Sequence, residues 1–155
     1  MRTAAAQIRF ARQDEAAAIA RLSRDTIEAG LPWRWQPPDI ERFIRSGRHN
    51  VIVAQVGERM AGFAVMGYGE DDAYLALLAV SPQQRRNGLA RRLLDWLMRT
   101  AEVAGVREVA VELREDNLAA YDLYLRAGFV EQSRRTGAYY GRVNQIRMRR
   151  VLRSE

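Results

Sequence analysis

Apolar positions along this chain recur with two periods, and the switches between them predict its elements. Gln7 to Ala11 reads as a first strand, after which Asp14 stands at a helix-cap position before the run Glu15 to Glu28. Within that run Ala18, Ile19 and Leu22 share one helical face, which Thr26 continues and Ile27 borders. A second, short helix is predicted over Pro38 to Ser46. Asn50 to Gln55 and Met60 to Tyr68 are β-rich runs joined by the turn VGER, and the acidic turn Glu70 to Asp72 leads into a third, Ala73 to Val80. These three runs predict an antiparallel meander. The second half then alternates: helix over Gly88 to Val103, strand over Glu108 to Leu113, helix over Asn117 to Ala127, and strands near Phe129 to Arg134 and Val143 to Leu152. In the first of these helices Leu89, Leu93, Trp96 and Leu97 form the apolar face, while Arg92, Asp95 and Arg99 are placed to pair on the other. The order β α α β β β α β α β β predicts an α/β (α+β) mixed sheet with helices on both faces.

Composition narrows the chemistry more than the fold. A chain of 155 residues, 48% hydrophobic and 28% charged, is expected to form one domain over residues 1–155. No apolar run approaches the roughly 18 residues of a membrane span, and the start MRTAAAQIRF lacks the apolar stretch of a secretory signal, so a cytoplasmic location without membrane contact is expected. There is no cysteine, and all 25 basic residues, set against 19 acidic ones for a net charge of +6, are arginine. Without lysine there is no Schiff base, no lysine general base and no Walker-type phosphate lysine, and His49 alone leaves little room for histidine triads or multi-histidine metal sites. The positive excess suits either a nucleic acid or a polyanionic cofactor, and charge by itself does not choose.

Two segments carry candidate chemistry. Val80 to Ala90 joins a strand to a helix, where the unpaired N–H groups of the first helical turn and the helix dipole favour an anion. Gly88 lets a phosphate approach the backbone, and Arg85, Arg86 and Arg91 add charge; the competing reading is a basic, solvated turn. Downstream, Glu112 lies in the strand VREVAVEL, and Asn117, Tyr121 and Tyr124 follow at spacings that form one helical stripe. Helix capping by Asn117 and a core position for Tyr124 are the plain alternatives. The aromatic loops around Trp33 and Trp35 and around Tyr139 and Tyr140 are candidate acceptor contacts or hydrophobic cover for the sheet edge, and Glu70 to Asp72 is an acidic attraction for an amine or a solvated turn.

The segment LLAVSPQQRRNGLARRLL resembles the acetyl-CoA signature of the GNAT N-acetyltransferases, and EVAVELREDNLAAYDLYLRAGF resembles their second signature; within the family the ribosomal-protein alanine N-acetyltransferases are most similar. The resemblance implies a largely antiparallel sheet of about seven strands flanked by about four helices, with a splayed central strand pair. It implies that backbone groups of Leu78, Ala79 and Val80 bind the pantetheine arm of acetyl-CoA and that Arg86, Asn87, Gly88, Leu89, Ala90 and Arg91 wrap its pyrophosphate. It further implies that Asn117 contacts the cofactor and that Glu112 and Tyr124 are general base and general acid. Ala90 stands where many members have glycine, and Ile27 to Asn50 has no convincing match, which leaves the acceptor undefined.

Acetyl transfer requires a neutral amine, a donor for the oxygen that gains charge, and a proton for the departing thiolate. A lysine-like amine is neutral roughly once in 2,500 molecules at pH 7 and a peptide α-amine about once in ten, so an α-amine asks less of its base. An ordinary carboxylate takes the proton only after attack, which is the role expected of Glu112, directly or through water; its alternative is an ion pair with Arg114 or Arg107. The Val80 N–H is the expected oxyanion donor, a contact type worth about 3 to 4 kcal/mol. A proton moving from the Tyr124 phenol to a thiolate goes uphill by about 2 kcal/mol. The expected activity is therefore acetylation of a primary amine, a protein or peptide N-terminus before a small molecule, without a metal and in a monomer or homodimer. The alternative is a non-catalytic acetyl-CoA-binding or RNA-binding module, although nucleic acid is not the expected partner.

Overall fold

The structure, a computed structural model, describes residues 5–153. Seven strands, β1 (Gln7–Phe10), β2 (His49–Val56), β3 (Arg59–Tyr68), β4 (Asp72–Val80), β5 (Glu108–Arg114), β6 (Val130–Tyr139) and β7 (Val143–Val151), make one sheet in the order β1-β2-β3-β4-β5-β7-β6. Every neighbouring pair is antiparallel except β4 with β5. Helices α1 (Ala16–Asp25) and α2 (Pro37–Arg45) cover one face with Ile19, Ala20 and Ile40. On the other, α3 (Leu89–Val103) and α4 (Leu118–Arg126) bury Leu93, Leu94, Leu97 and Tyr124. Mixed sheet, element order and two-sided helix cover all follow the pattern expected from the sequence.

The element ends depart from that pattern where a single side chain outweighs periodicity. The first helix begins at Ala16 rather than Glu15, and Asp14 lies exposed in a 3-10 turn over Gln13–Glu15 instead of capping it. Glu15 takes the local role: its carboxylate accepts the Arg12 N–H at 2.7 Å and pairs with Arg9 at 2.8 Å, which holds it below the usual carboxylate range. The helix stops at Asp25, short of Glu28. The Glu28 side chain, with the residue only 6% exposed, instead accepts the Ser23 hydroxyl at 2.9 Å and the backbone N–H groups of Arg34 at 2.6 Å and Trp35 at 3.1 Å. On α3, Asp95 pairs with Arg91 at 2.9 Å, while Arg92 donates to the Ala6 carbonyl.

One irregularity sets up the cleft. Met66 pairs with Leu75 but Val65 pairs with Leu77, so Ala76 is an extra residue in β4. A bulge of this kind reverses which side chains face which layer. Ala73 and Leu75 pack toward α3 before it, whereas Leu77 and Ala79 pack toward α1 after it. Pairing with β5 ends at the same place, covering only Asp72 to Leu75 against Glu108 to Val111. From Ala76 to Val80 the β5-facing edge of β4 is open, which is the splayed central pair.

Antiparallel pairing alternates between residues bonded to the neighbour and residues turned away from it. Ser81 donates to the Ala61 carbonyl at 2.8 Å, so Ala79 bonds toward β3, and Leu78 and Val80 present their backbone groups to the open edge. Gly62 shows the same geometry from the other side, since a Cβ there would stand 2.8 Å from the Ala79 carbonyl oxygen. Of the three backbones Leu78, Ala79 and Val80, two are thus turned to the open edge, while Ala79 spends its backbone groups on β3.

Candidate active site

The strand-to-helix junction is built from backbone. A 3-10 turn over Pro82–Gln84 leads to Gly88, whose φ of +74° is a left-handed conformation that a residue with a Cβ adopts only under strain. Gly88 caps α3 without a side chain, and the first α3 amide with an acceptor is that of Arg92, bonded to the Gly88 carbonyl at 3.1 Å. Among the described residues, the six amides from Arg86 to Arg91 donate to nothing in the protein. Arg85 and Arg86 likewise make no ion pair among the described residues, whereas Arg91 is tied to Asp95. Free amides, a helix start and two unpaired guanidiniums form a cradle that fits a diphosphate.

This junction opens into a cleft of about 870 Å³. Its walls include Leu78, Ala79, Val80, Arg85, Arg86, Gly88, Leu89, Ala90, Arg91, Asn117 and Tyr124, so every expected donor-side residue except Asn87 is brought together there with Tyr124. Asn87 instead reaches Gln84 at 3.3 Å. Asn117 caps α4 through its side-chain oxygen, which accepts the Ala120 N–H at 3.1 Å and leaves the amide nitrogen for a ligand. Tyr121 departs from the expected stripe because its hydroxyl is drawn to Glu131 at 2.8 Å. Tyr124 is only 4% exposed, with its ring 5.5 Å from that of Phe129. Its hydroxyl makes no hydrogen bond among the described residues, and burial, with Tyr139 as a lesser cause, raises its pKa above that of an ordinary phenol.

A further part of the lining comes from residues that the sequence did not assign to the site. Thr26, Ile27 and Ala29 line it, on the turn that follows α1. Arg114 ties this turn to β5 by donating to the carbonyls of Ile27 at 3.3 Å and Ala29 at 2.6 Å, and it is itself fixed by Asp116 at 2.9 Å. No local spacing signals a contact across 85 residues of chain.

Glu112 lies outside the cleft lining. Val109, Val111 and Leu113 face α3 and α4, so the alternation of β5 puts Glu112 on the other face, beside the gap left by the open strand edge. Neither Arg114 nor Arg107 pairs with it: Arg114 is held by Asp116, and Arg107 approaches Asp72 at 3.6 Å. Its partners are Tyr74, whose hydroxyl donates to Oε1 at 2.9 Å, and Arg147, 3.6 Å from the same oxygen. Tyr139 belongs to the end of β6 rather than to a loop, is half-buried, and has its pKa raised by burial, with the Glu112 charge contributing. Tyr140 is exposed at the turn beyond it.

Trp33 and Trp35 sit between α1 and α2 and do not line the cleft. Trp33 donates to the Ala20 carbonyl at 3.2 Å, and the Trp35 ring lies 5.4 Å from that of Phe43. The acidic turn is at the far end of β4 from the phosphate cradle, with Asp72 beside Arg107. Among the described residues, no helix is long and apolar enough to cross a membrane.

Comparison with known proteins gives a consistent picture. A family model described as the acetyltransferase (GNAT) family matches residues 16–129. The ribosomal protein bS18-alanine N-acetyltransferase of Salmonella typhimurium is 40% identical over 82 residues, covering 53% of this chain and 55% of that protein. The chain thus matches a little over half the length of that relative. An acetyltransferase of Pectobacterium atrosepticum is 29% identical over 118 residues, 76% of this chain and 83% of the other. Among solved structures, the ribosomal-protein-S18-alanine N-acetyltransferase from Escherichia coli superposes with a TM-score of 0.82 at 27% identity, covering 97% of this chain and 96% of that one.

Proposed function

Because the chain belongs to the acetyltransferase (GNAT) family, we propose that it moves an acetyl group from acetyl-CoA to a primary amine, with a protein or peptide N-terminal α-amine as the favoured acceptor. The observation that carries this reading is the single cleft that joins the free amides at the start of α3, the open edge of β4 and the hydroxyl of Tyr124. Similarity to enzymes named for a ribosomal-protein alanine supports the α-amine, and such an acceptor puts the reaction in the cytoplasm.

When bound, acetyl-CoA supplies a thioester carbonyl open to a neutral amine. The amides of Arg86 to Arg91, with Arg85 and Arg86, hold the diphosphate, and Asn117 offers its free amide nitrogen to the same ligand. Leu78 and Val80 bond the pantetheine arm along the open edge, and the Val80 N–H donates to the carbonyl oxygen as it gains charge. Glu112 takes the proton from the amine nitrogen after attack, and the Tyr124 hydroxyl donates to the departing sulfur. The raised Tyr124 pKa makes complete transfer steeper than an ordinary phenol would, so its contribution is a hydrogen bond formed as the C–S bond breaks.

Calorimetry with acetyl-CoA, followed by a thiol-release assay against a panel of amines and short peptides with different first residues, tests the proposal. Saturable binding and CoA release that depends on the amine are expected. No binding would overturn the cradle, and binding without release for any amine would favour a non-catalytic acetyl-CoA-binding protein.

A further inference from the structure

We infer that Tyr74 is a positioning residue of this reaction, its hydroxyl fixing the Glu112 carboxylate so that Oε2 is the oxygen offered to the acceptor amine. The inference rests on the acetyl-transfer reading above and adds to it a residue outside both sequence signatures. Tyr74 and Glu112 stand on adjacent parallel strands, where Tyr74 is level with Ala110 and Glu112 is two residues further along. Two residues of strand span about 6.6 Å, an offset that a phenol can bridge and that a serine or threonine hydroxyl cannot. The bridge is made, at 2.9 Å to Oε1.

From the other side, Arg147 is directly opposite Glu112 in the β5–β7 ladder and approaches that same oxygen at 3.6 Å, its guanidinium steadied by Gln132 at 3.0 Å. Both neighbours make their nearest approach to Oε1, and Oε2 accepts no hydrogen bond among the described residues. The carboxylate is turned in one direction just where β4 and β5 part and the acceptor must meet the cleft. Burial, together with the Glu112 charge, keeps the Tyr74 phenol protonated, so the donor persists across the working pH range. Without it the carboxylate would rotate more freely, and fewer encounters would present an oxygen to the nitrogen.

A double-mutant cycle on kcat tests the inference, using acetyl-CoA and the amine that the wild-type protein turns over best, with a peptide beginning in alanine as the first probe. Tyr74→Phe is expected to lower kcat about tenfold while leaving acetyl-CoA affinity and the acceptor KM unchanged. Glu112→Gln lowers kcat further, and the double variant Tyr74→Phe with Glu112→Gln is no slower than Glu112→Gln alone, because the hydroxyl acts only through the carboxylate. Wild-type kcat in Tyr74→Phe, or losses that multiply in the double variant, overturns the positioning role while leaving the transfer reading intact. A wild-type protein that turns over no amine, or Glu112→Gln as active as wild type, overturns the transfer reading itself and the role of Tyr74 with it.

Discussion

The two ends of the proposed active cleft are made of different material. On the side proposed for the acetyl donor, the groups on offer are backbone amides and one open strand edge, gathered within Leu78 to Arg91, with Asn117 and Tyr124 added at and beyond the start of α4. On the side proposed for the acceptor they are side chains from β4, β5, β6 and β7 that meet across the sheet, with the turn after α1 strapped to β5 by Arg114. Backbone recognition demands a local conformation and so leaves a short, dense signature in the sequence. Recognition by side chains on separate strands demands only that the strands lie in register, and each of its residues stands alone in the chain.

Three perturbations sharpen that contrast. The largest is expected at the junction of the two sides: Tyr124→Phe should lower kcat by about a thousandfold, roughly 4 kcal/mol, with acetyl-CoA affinity held. Because burial raises the Tyr124 pKa, the neutral donor persists to higher pH than a free phenol would, and no basic limb from this group should appear below about pH 10. Steady-state kinetics across pH checks both statements, and an equal loss in binding and turnover would make Tyr124 a packing residue. Next comes the acceptor-side frame. Glu28→Ala leaves two backbone N–H groups and a hydroxyl without their acceptor, and should cost about 3 kcal/mol and roughly 10 °C in melting temperature. A thermal melt showing no change would mean that the turn after α1 rearranges freely. Smallest is the donor-side charge: replacing Arg85 and Arg86 together by alanine should weaken acetyl-CoA about tenfold, near 1.4 kcal/mol, and the difference should shrink as salt rises. Calorimetry at two ionic strengths measures it, and an unaltered affinity would assign the grip to the amides alone.

What was legible in the sequence follows the same division. Element order, the two-sided helix cover and the cradle around Gly88 came through because periodicity and a glycine at a left-handed position are local properties. The Ala76 bulge did not show, since DAYLALLAV reads as an unbroken strand and the extra residue is defined only against β3. For the same reason the sequence did not show that Ala79 bonds toward β3 while Leu78 and Val80 face the open edge. Glu112 stands out in its strand, but the arginines nearest to it in the chain, Arg107 and Arg114, are not the side chains it meets. Tyr74 and Arg147, 38 and 35 positions away, reach it through strand register that no single segment encodes. For Trp33 and Trp35 the sequence left acceptor contact and hydrophobic cover both open because aromatic residues in a loop have no period, and their packing beside α1 and α2 accompanies the turn that Glu28 holds after the helix.

From the odd residue in β4 onward, the middle of the sheet lacks a neighbour on the β5 side over the five residues Ala76 to Val80. With no neighbouring strand on that side beyond Leu75 among the described residues, the edge presented by Leu78 and Val80 has backbone groups that need a partner. The pantetheine arm carries two amides of its own and is, in hydrogen-bonding terms, a fragment of extended peptide. Under the proposed function its arrival would be an act of sheet completion, in which a small molecule stands in for the missing strand.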